Sequence, residues 1–285
     1  NAVVAHKLGF CYHTLKNYPK AIECFENALE NVKDEEKRLE IYNLLIEAKI
    51  FNGDDEDALV LCNQSLIMFP FNAMTNFLIG EIYFHKNEYE NALNKYVEAS
   101  KYDPKFIQAL MNSGHIYVIK NYLNKALAVY AKVLELTPDN PTALCNIALI
   151  KYKQGDKNAA FNILFKLAVK GGEKNYLVHK YLGIIWLEKG KAHDAIVSLK
   201  KAVELNNKDI DNHINLGVCF HKTNVLNTGA EHYLKALDIE PQNMIALKNL
   251  ALLYFDWGKN HEAIELYEKL LDLEPENMPA IKNIG

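Results

Sequence analysis

His213, Cys219 and His221 fall within nine residues of one another, and imidazole and thiolate are the usual ligands of zinc. Their spacing argues against a metal site: on a helix His213 takes a packing position, and His221 lies on a different side from Cys219. No CxxC pair, HExxH, phosphate-binding glycine loop or nucleophile elbow occurs anywhere in the chain. The acidic run Asp54-Asp55-Glu56-Asp57 stands where a helix would begin, and negative charge there complements the helix dipole. Asn63-Gln64-Ser65 matches a glycosylation sequon, but inside a helical pattern. No catalytic residue, metal ligand or cofactor is therefore expected, and the chain reads as non-enzymatic.

Asparagine recurs instead. Asn112, Asn146, Asn215, Asn249 and Asn283 each stand two places before a small residue, in "LMNSG", "LCNIA", "INLG", "LKNLA" and "IKNIG". A carboxamide carries two donors and an acceptor, so it can pair with both the C=O and the N–H of a peptide unit. Such a contact reads backbone rather than sequence. Lys7, Leu44, Leu78 and Tyr181 take the equivalent place elsewhere. Directly after the small residue come Leu149, Ile184, Val218 and Leu252, followed by Ile150, Ile185, Cys219 and Leu253. The second set suffices for a buried helix side, which leaves the first set to contact a ligand.

Composition narrows the classes of partner. The 285 residues are 49% hydrophobic and 24% charged, with net charge −4 and a pI near 6.2, so no basic footprint for nucleic acid is present. Of 32 basic residues only Arg38 is arginine, which disfavours planar, bidentate recognition of phosphates. Five cysteines without a CxxC pair suit a reducing, intracellular and cytoplasmic setting. No uncharged apolar run approaches the roughly 18 residues of a membrane span, and no secretory leader is evident. The chain opens on Asn1 and closes on Gly285 in mid-pattern, so a fragment of a longer protein is expected.

The elements that position these residues follow from an internal repeat. Small residues recur at Gly9, Gly80, Gly114, Ala148, Gly183, Gly217, Ala251 and Gly285, with Ile46 the exception, and a second small residue follows each by twelve places, from Ala21 to Ala263. Large rings recur as Tyr12, Tyr83, Tyr117, Trp186, Phe220 and Tyr254, and again as Phe25, Tyr96, Tyr130, Tyr233 and Tyr267. Pro70, Pro104, Pro138, Pro241 and Pro275 punctuate the unit. Each unit holds two helices, the first stopping at Gly53, Asn87, Asn121, Gly155, Gly190, Asn224 or Gly258, where a left-handed residue is wanted. The second runs to the proline. Units span residues 2–35, 39–72, 73–106, 107–140, 141–174, 176–209, 210–243 and 244–277, and a ninth begins over 278–285. Repeats two and five depart, with Lys49 and Lys151 at the first ring and Cys62 and Leu164 at the second.

This pattern resembles the tetratricopeptide repeat family. The resemblance implies an all-α fold: a right-handed α-α superhelix, or solenoid, of tandem 34-residue helix-turn-helix units whose first helices line a groove. It implies that the five asparagines and Leu149, Ile184, Val218 and Leu252 face that groove, similar to the asparagine ladder of O-GlcNAc transferase. The family's carboxylate clamp needs asparagine just after the small residue, where Phe10, Glu47, Glu81, His115 and the four apolar residues stand here. The expected function is a scaffold binding extended or helical segments of partner proteins, with no nucleic acid, membrane or cofactor. The alternatives are the substrate-presenting region of a longer enzyme, or a self-associating homo-oligomeric assembly subunit of the ciliary or anaphase-promoting-complex kind.

Overall fold

Sixteen helices and no strand make up residues 2–170 and 174–273, which a computed structural model of the chain describes. They come in pairs: α1 (Ala2–Thr14) with α2 (Tyr18–Asn31), α3 (Glu35–Asn52) with α4 (Asp55–Met68), α5 (Ala73–His85) with α6 (Tyr89–Tyr102), and α7 (Ile107–Ile119) with α8 (Leu123–Leu136). The series continues with α9 (Pro141–Lys153) and α10 (Lys157–Lys170), α11 (Tyr176–Glu188) and α12 (Ala192–Leu205), α13 (Ile210–Lys222) and α14 (Leu226–Ile239), and α15 (Met244–Asp256) and α16 (Asn260–Leu273). The fold is an all-α helical repeat array. It divides into two compact units, Asn1–Ala143 and Leu144–Gly285. Pro275, Asn283 and the ninth repeat lie outside the described residues. Among those described, no helix is long and apolar enough to cross a membrane.

Turn chemistry sets where first helices stop. Gly53, Asn87, Asn121, Gly155, Gly190, Asn224 and Gly258 all have positive φ, between 59° and 89°. Glycine lacks the Cβ that clashes there, and asparagine tolerates the region better than other side chains. The chain then turns back on itself: Asn87 N–H donates to Phe84 O at 3.0 Å and Glu88 N–H to Tyr83 O at 2.8 Å. Lys16 holds the same place in the first repeat with φ 59°, without either preferred residue. Five first helices start on side-chain caps, with Asp34, Asn72, Asn140, Asp209 and Asn243 each accepting from a backbone N–H three residues on, whereas Phe106 before α7 makes no such bond. The three extra residues 36–38 form the opening turn of α3, which has eighteen residues where α1 has thirteen.

Prolines do not by themselves end the second helices. Pro70, Pro104, Pro138 and Pro241 each follow two residues after a helix end, yet α12 stops at the same length with no proline behind it. There, as elsewhere, the cap N–H (Asn206) still reaches back four residues to Ala202 O, at 2.9 Å, and the chain leaves in an extended conformation.

Within each pair, packing rests on two residues sixteen places apart. A Cβ built on Gly80 would lie 2.5 Å from the Tyr96 ring, on Gly114 2.6 Å from Tyr130, and on Gly217 2.4 Å from Tyr233. The first helix therefore offers a hollow that the ring on the second fills. Ile46, the one large residue in the small series, shares its buried cluster with Cys62, small where the others carry a ring. What reads in sequence as two separate irregularities is one exchange of volume, which keeps the interior close-packed. Ala148 with Leu164 is intermediate. Lys49, the other departure in repeat two, is satisfied by Glu26 at 3.2 Å and Asp57 at 3.8 Å.

Candidate functional site

Neighbouring first helices touch one another directly, α1 with α3 and α3 with α5 in the first unit, α11 with α13 and α13 with α15 in the second. On each helix the asparagine position and the one after the small residue are three apart, hence on one side. The two units present different chemistry along that side.

In the first unit it is mixed: Phe10 stands 51% exposed, Leu44 and Leu78 are partly or fully buried, and several carboxylates face histidine, tyrosine or asparagine side chains. His6 lies 3.7 Å from Glu40, and His13 3.9 Å from Glu47. Both distances are too long for a hydrogen bond, and His13 Nε2 is buried with no hydrogen-bond partner among the described residues. Glu81 is the centre of a tighter knot: one carboxylate oxygen accepts from Asn112 Nδ2 at 2.6 Å and from the Tyr96 hydroxyl. Burial, with the bond to Glu81 next, pushes the Tyr96 phenol well above its usual pKa, so it stays a donor. Asn112 thus commits part of its amide to the neighbouring repeat, a partner 31 residues away that no repeat spacing announces. His115 packs its ring 5.8 Å from that of Phe84.

In the second unit Asn146, Asn215 and Asn249 are half-buried, and their side chains make no hydrogen bond among the described residues. Leu149, Ile184 and Val218 are half-buried beside them, while Leu252 is 43% exposed. Leu149 and Val218 also pack against the core clusters of their repeats, so each offers only part of its surface. Tyr181 breaks the asparagine series and meets Tyr152 edge-on at 5.4 Å. The Tyr152 hydroxyl donates to Glu188 at 2.8 Å; burial and then that bond push its pKa up to about 12. Lys180 bridges Asp209 at 2.9 Å and Asp211 at 2.8 Å. Burial opposes its charge, but the two carboxylates prevail and hold its pKa above the ordinary lysine value.

The histidines and cysteines separate into packing roles. His213 is 3% exposed and faces His232, with the two Nδ1 atoms 3.2 Å apart. His221 pairs instead with Asp256 at 2.9 Å. Burial pushes the thiols of Cys62 and Cys219 up to about 12 and that of Cys145 to about 11, far from the thiolate a nucleophile needs. Among the described residues no three His, Cys, Asp or Glu side chains converge to hold a metal ion.

Family models described as tetratricopeptide repeats match residues 2–34 and 246–277, and one described as TPR repeat matches 80–118 and 114–155. The anaphase-promoting complex subunit CDC16 of Saccharomyces cerevisiae is 26% identical over 237 residues, covering 78% of this chain and 27% of CDC16. The chain therefore spans about a quarter of that relative. Among solved structures, the APC/C hetero-tetramer Cut9–Hcn1 superposes with a TM-score of 0.65 at 18% identity, over 97% of this chain and 54% of the other. YrrB, a TPR protein with an unusual peptide-binding site, gives 0.57 at 23% identity, over 66% of this chain and 96% of its own.

Proposed function

We propose that this array of tetratricopeptide repeats is a non-catalytic scaffold that holds a segment of a partner protein along its first helices. The observation that carries the reading is the side formed by Asn146, Asn215 and Asn249 with Leu149, Val218 and Leu252. Three carboxamides that make no side-chain hydrogen bond among the described residues stand next to incompletely covered aliphatic side chains. The amides suit the C=O and N–H of an extended backbone, and the aliphatic residues suit alternate side chains. CDC16 is by name a subunit of a complex, which fits a binding role. The first unit contributes less, because Glu81 already holds Asn112 and its histidines face glutamates.

The test uses peptides selected against the chain from a random display library. Each asparagine–backbone bond contributes about 0.5–1.5 kcal/mol net. Changing Asn146, Asn215 and Asn249 together to alanine should weaken binding by at least about 2 kcal/mol, roughly thirtyfold. Asn112→Ala should stay within about threefold of the parent, because that amide already has a partner. N-methylating the peptide should cost more than scrambling its order. Unchanged affinity of the triple variant, for a peptide cross-linked to this side, would overturn the reading.

A further inference from the structure

A second surface in the same unit has a different character. Helices α10 and α12 flank α11 and leave a cleft of about 630 Å³ between them. Leu182 and Trp186 form its floor, Phe165 and Ala168 one wall, and Val197 part of the other. On α11 the floor residues lie about 200° around the helix from Ile184, so this cleft and the asparagine side are separate surfaces. Its apolar walls are open to solvent: Phe165 is 50% exposed and Val197 72%. Val197, Lys201 and Glu204 run along one wall for two helical turns, roughly 10 Å, the length of a short guest helix.

The rim is basic. Lys191 stands 4.9 Å and Lys189 6.0 Å from the Trp186 ring, and Lys200 and Lys201 close the α12 side. Among the described residues Glu204 is the one acid lining the cleft, and Lys201 pairs with it at 3.2 Å. Residues 157–205 hold nine lysines against four acids in a chain whose net charge is −4; Lys157 is paired with Glu188 and Lys180 with Asp209 and Asp211, so the excess facing the cleft is that of its rim lysines.

We propose that this cleft docks an acidic amphipathic helix of a partner protein. One or two large apolar side chains would enter over Leu182 and Trp186, with carboxylates meeting Lys189, Lys191 and Lys200. Apolar anchors in a groove supply the affinity of such a contact, and complementary charge supplies its orientation and partner choice.

The chain has two tryptophans, so Trp257→Phe leaves Trp186 as the sole reporter. The probes are three fluorescein-labelled helical peptides: one acidic with leucine anchors at i, i+3 and i+7, its lysine-for-glutamate counterpart, and the acidic peptide with serine anchors. The acidic anchored peptide should bind and shift Trp186 emission, and the other two should bind at least about tenfold more weakly. Val197→Glu and Lys200→Glu, both on exposed side chains, should each weaken it about tenfold with circular dichroism unchanged. The triple asparagine variant should bind it normally. Equal binding of the basic peptide, indifference to Val197→Glu, or no binding at about 1 mM would overturn the proposal. So would concentration-dependent self-association abolished by Val197→Glu, which would assign the cleft to a second copy of the chain.

Discussion

His213 and His232 show what a buried pair of titratable rings does to its repeat. His213 Nε2 lies 3.0 Å from the carbonyl of Asn207, which can only accept, so that nitrogen carries a proton, and a second proton is shared between the Nδ1 atoms of His213 and His232. His232 stacks on Phe220, their planes 6° apart. Burial, then the charges of His213, Lys235 and Lys200, lowers the pKa of His232 to about 4. Between the ordinary value near 6.5 and about 4 the unfolded chain takes up a proton that the folded one refuses. Stability is therefore fully present above about pH 6.5 and falls as the pH drops toward 4, by roughly 1 kcal/mol once solvent screening is allowed for. Thermal melts from pH 7.5 to 4.5 check this: His232→Gln should lose less than the parent over that window, and parallel loss would refute it. Sequence reading places His213 in the interior correctly, but His232 is nineteen residues away on another helix and carries no motif. The Glu81–Asn112 bond was hidden in the same way, since it joins dissimilar positions of adjacent repeats.

At the scale of elements, legibility follows from how few residues a conformation tolerates. The left-handed stops at Gly53 through Gly258 could be read because glycine and asparagine are almost the only side chains suited to them. Lys16 could not, because lysine signals nothing about φ. That makes it the strained stop of the series, with a φ of 59°. Lys16→Gly should raise stability by about 0.5–1 kcal/mol, whereas Gly53→Ala, at φ 89°, should lower it by about 1 kcal/mol although no atom lies within 4 Å of the added Cβ. Urea melts of both variants decide the matter: if both destabilise, the turn at Lys16 is held by contacts that outweigh its backbone strain. The asparagine side was only half legible. Its spacing was visible, but whether each amide is free depends on what the adjacent helix carries, as Asn112 and Asn146 show.

For the molecule as a whole, the same repeat position carries different weight in different places. Leu8, Leu45, Leu182, Leu216 and Leu250 occupy one position of the unit, and Leu8 is 45% exposed whereas the others are at most 3% exposed. Leu8→Glu should cost less than about 0.5 kcal/mol in this chain, while Leu45→Glu should cost several kcal/mol by burying a charge without a partner. Hydrogen exchange of α1 against α3 in the two variants would check this, and equal losses would contradict it. The exchange of volume between Ile46 with Cys62 and the glycine–tyrosine pairs has a consequence for how the chain is made. Similar repeats emerging one after another invite a helix to dock on the wrong sister, a failure to which tandem arrays are prone. Ile46 leaves no hollow for the ring of Tyr96, and Cys62 cannot fill the hollow at Gly80. Repeat two is thus keyed to itself. A hairpin of repeat two closed on its neighbour would meet either an overfilled or an unfilled site, a mismatch that works against mispairing in the way a parity check works against a shifted digit.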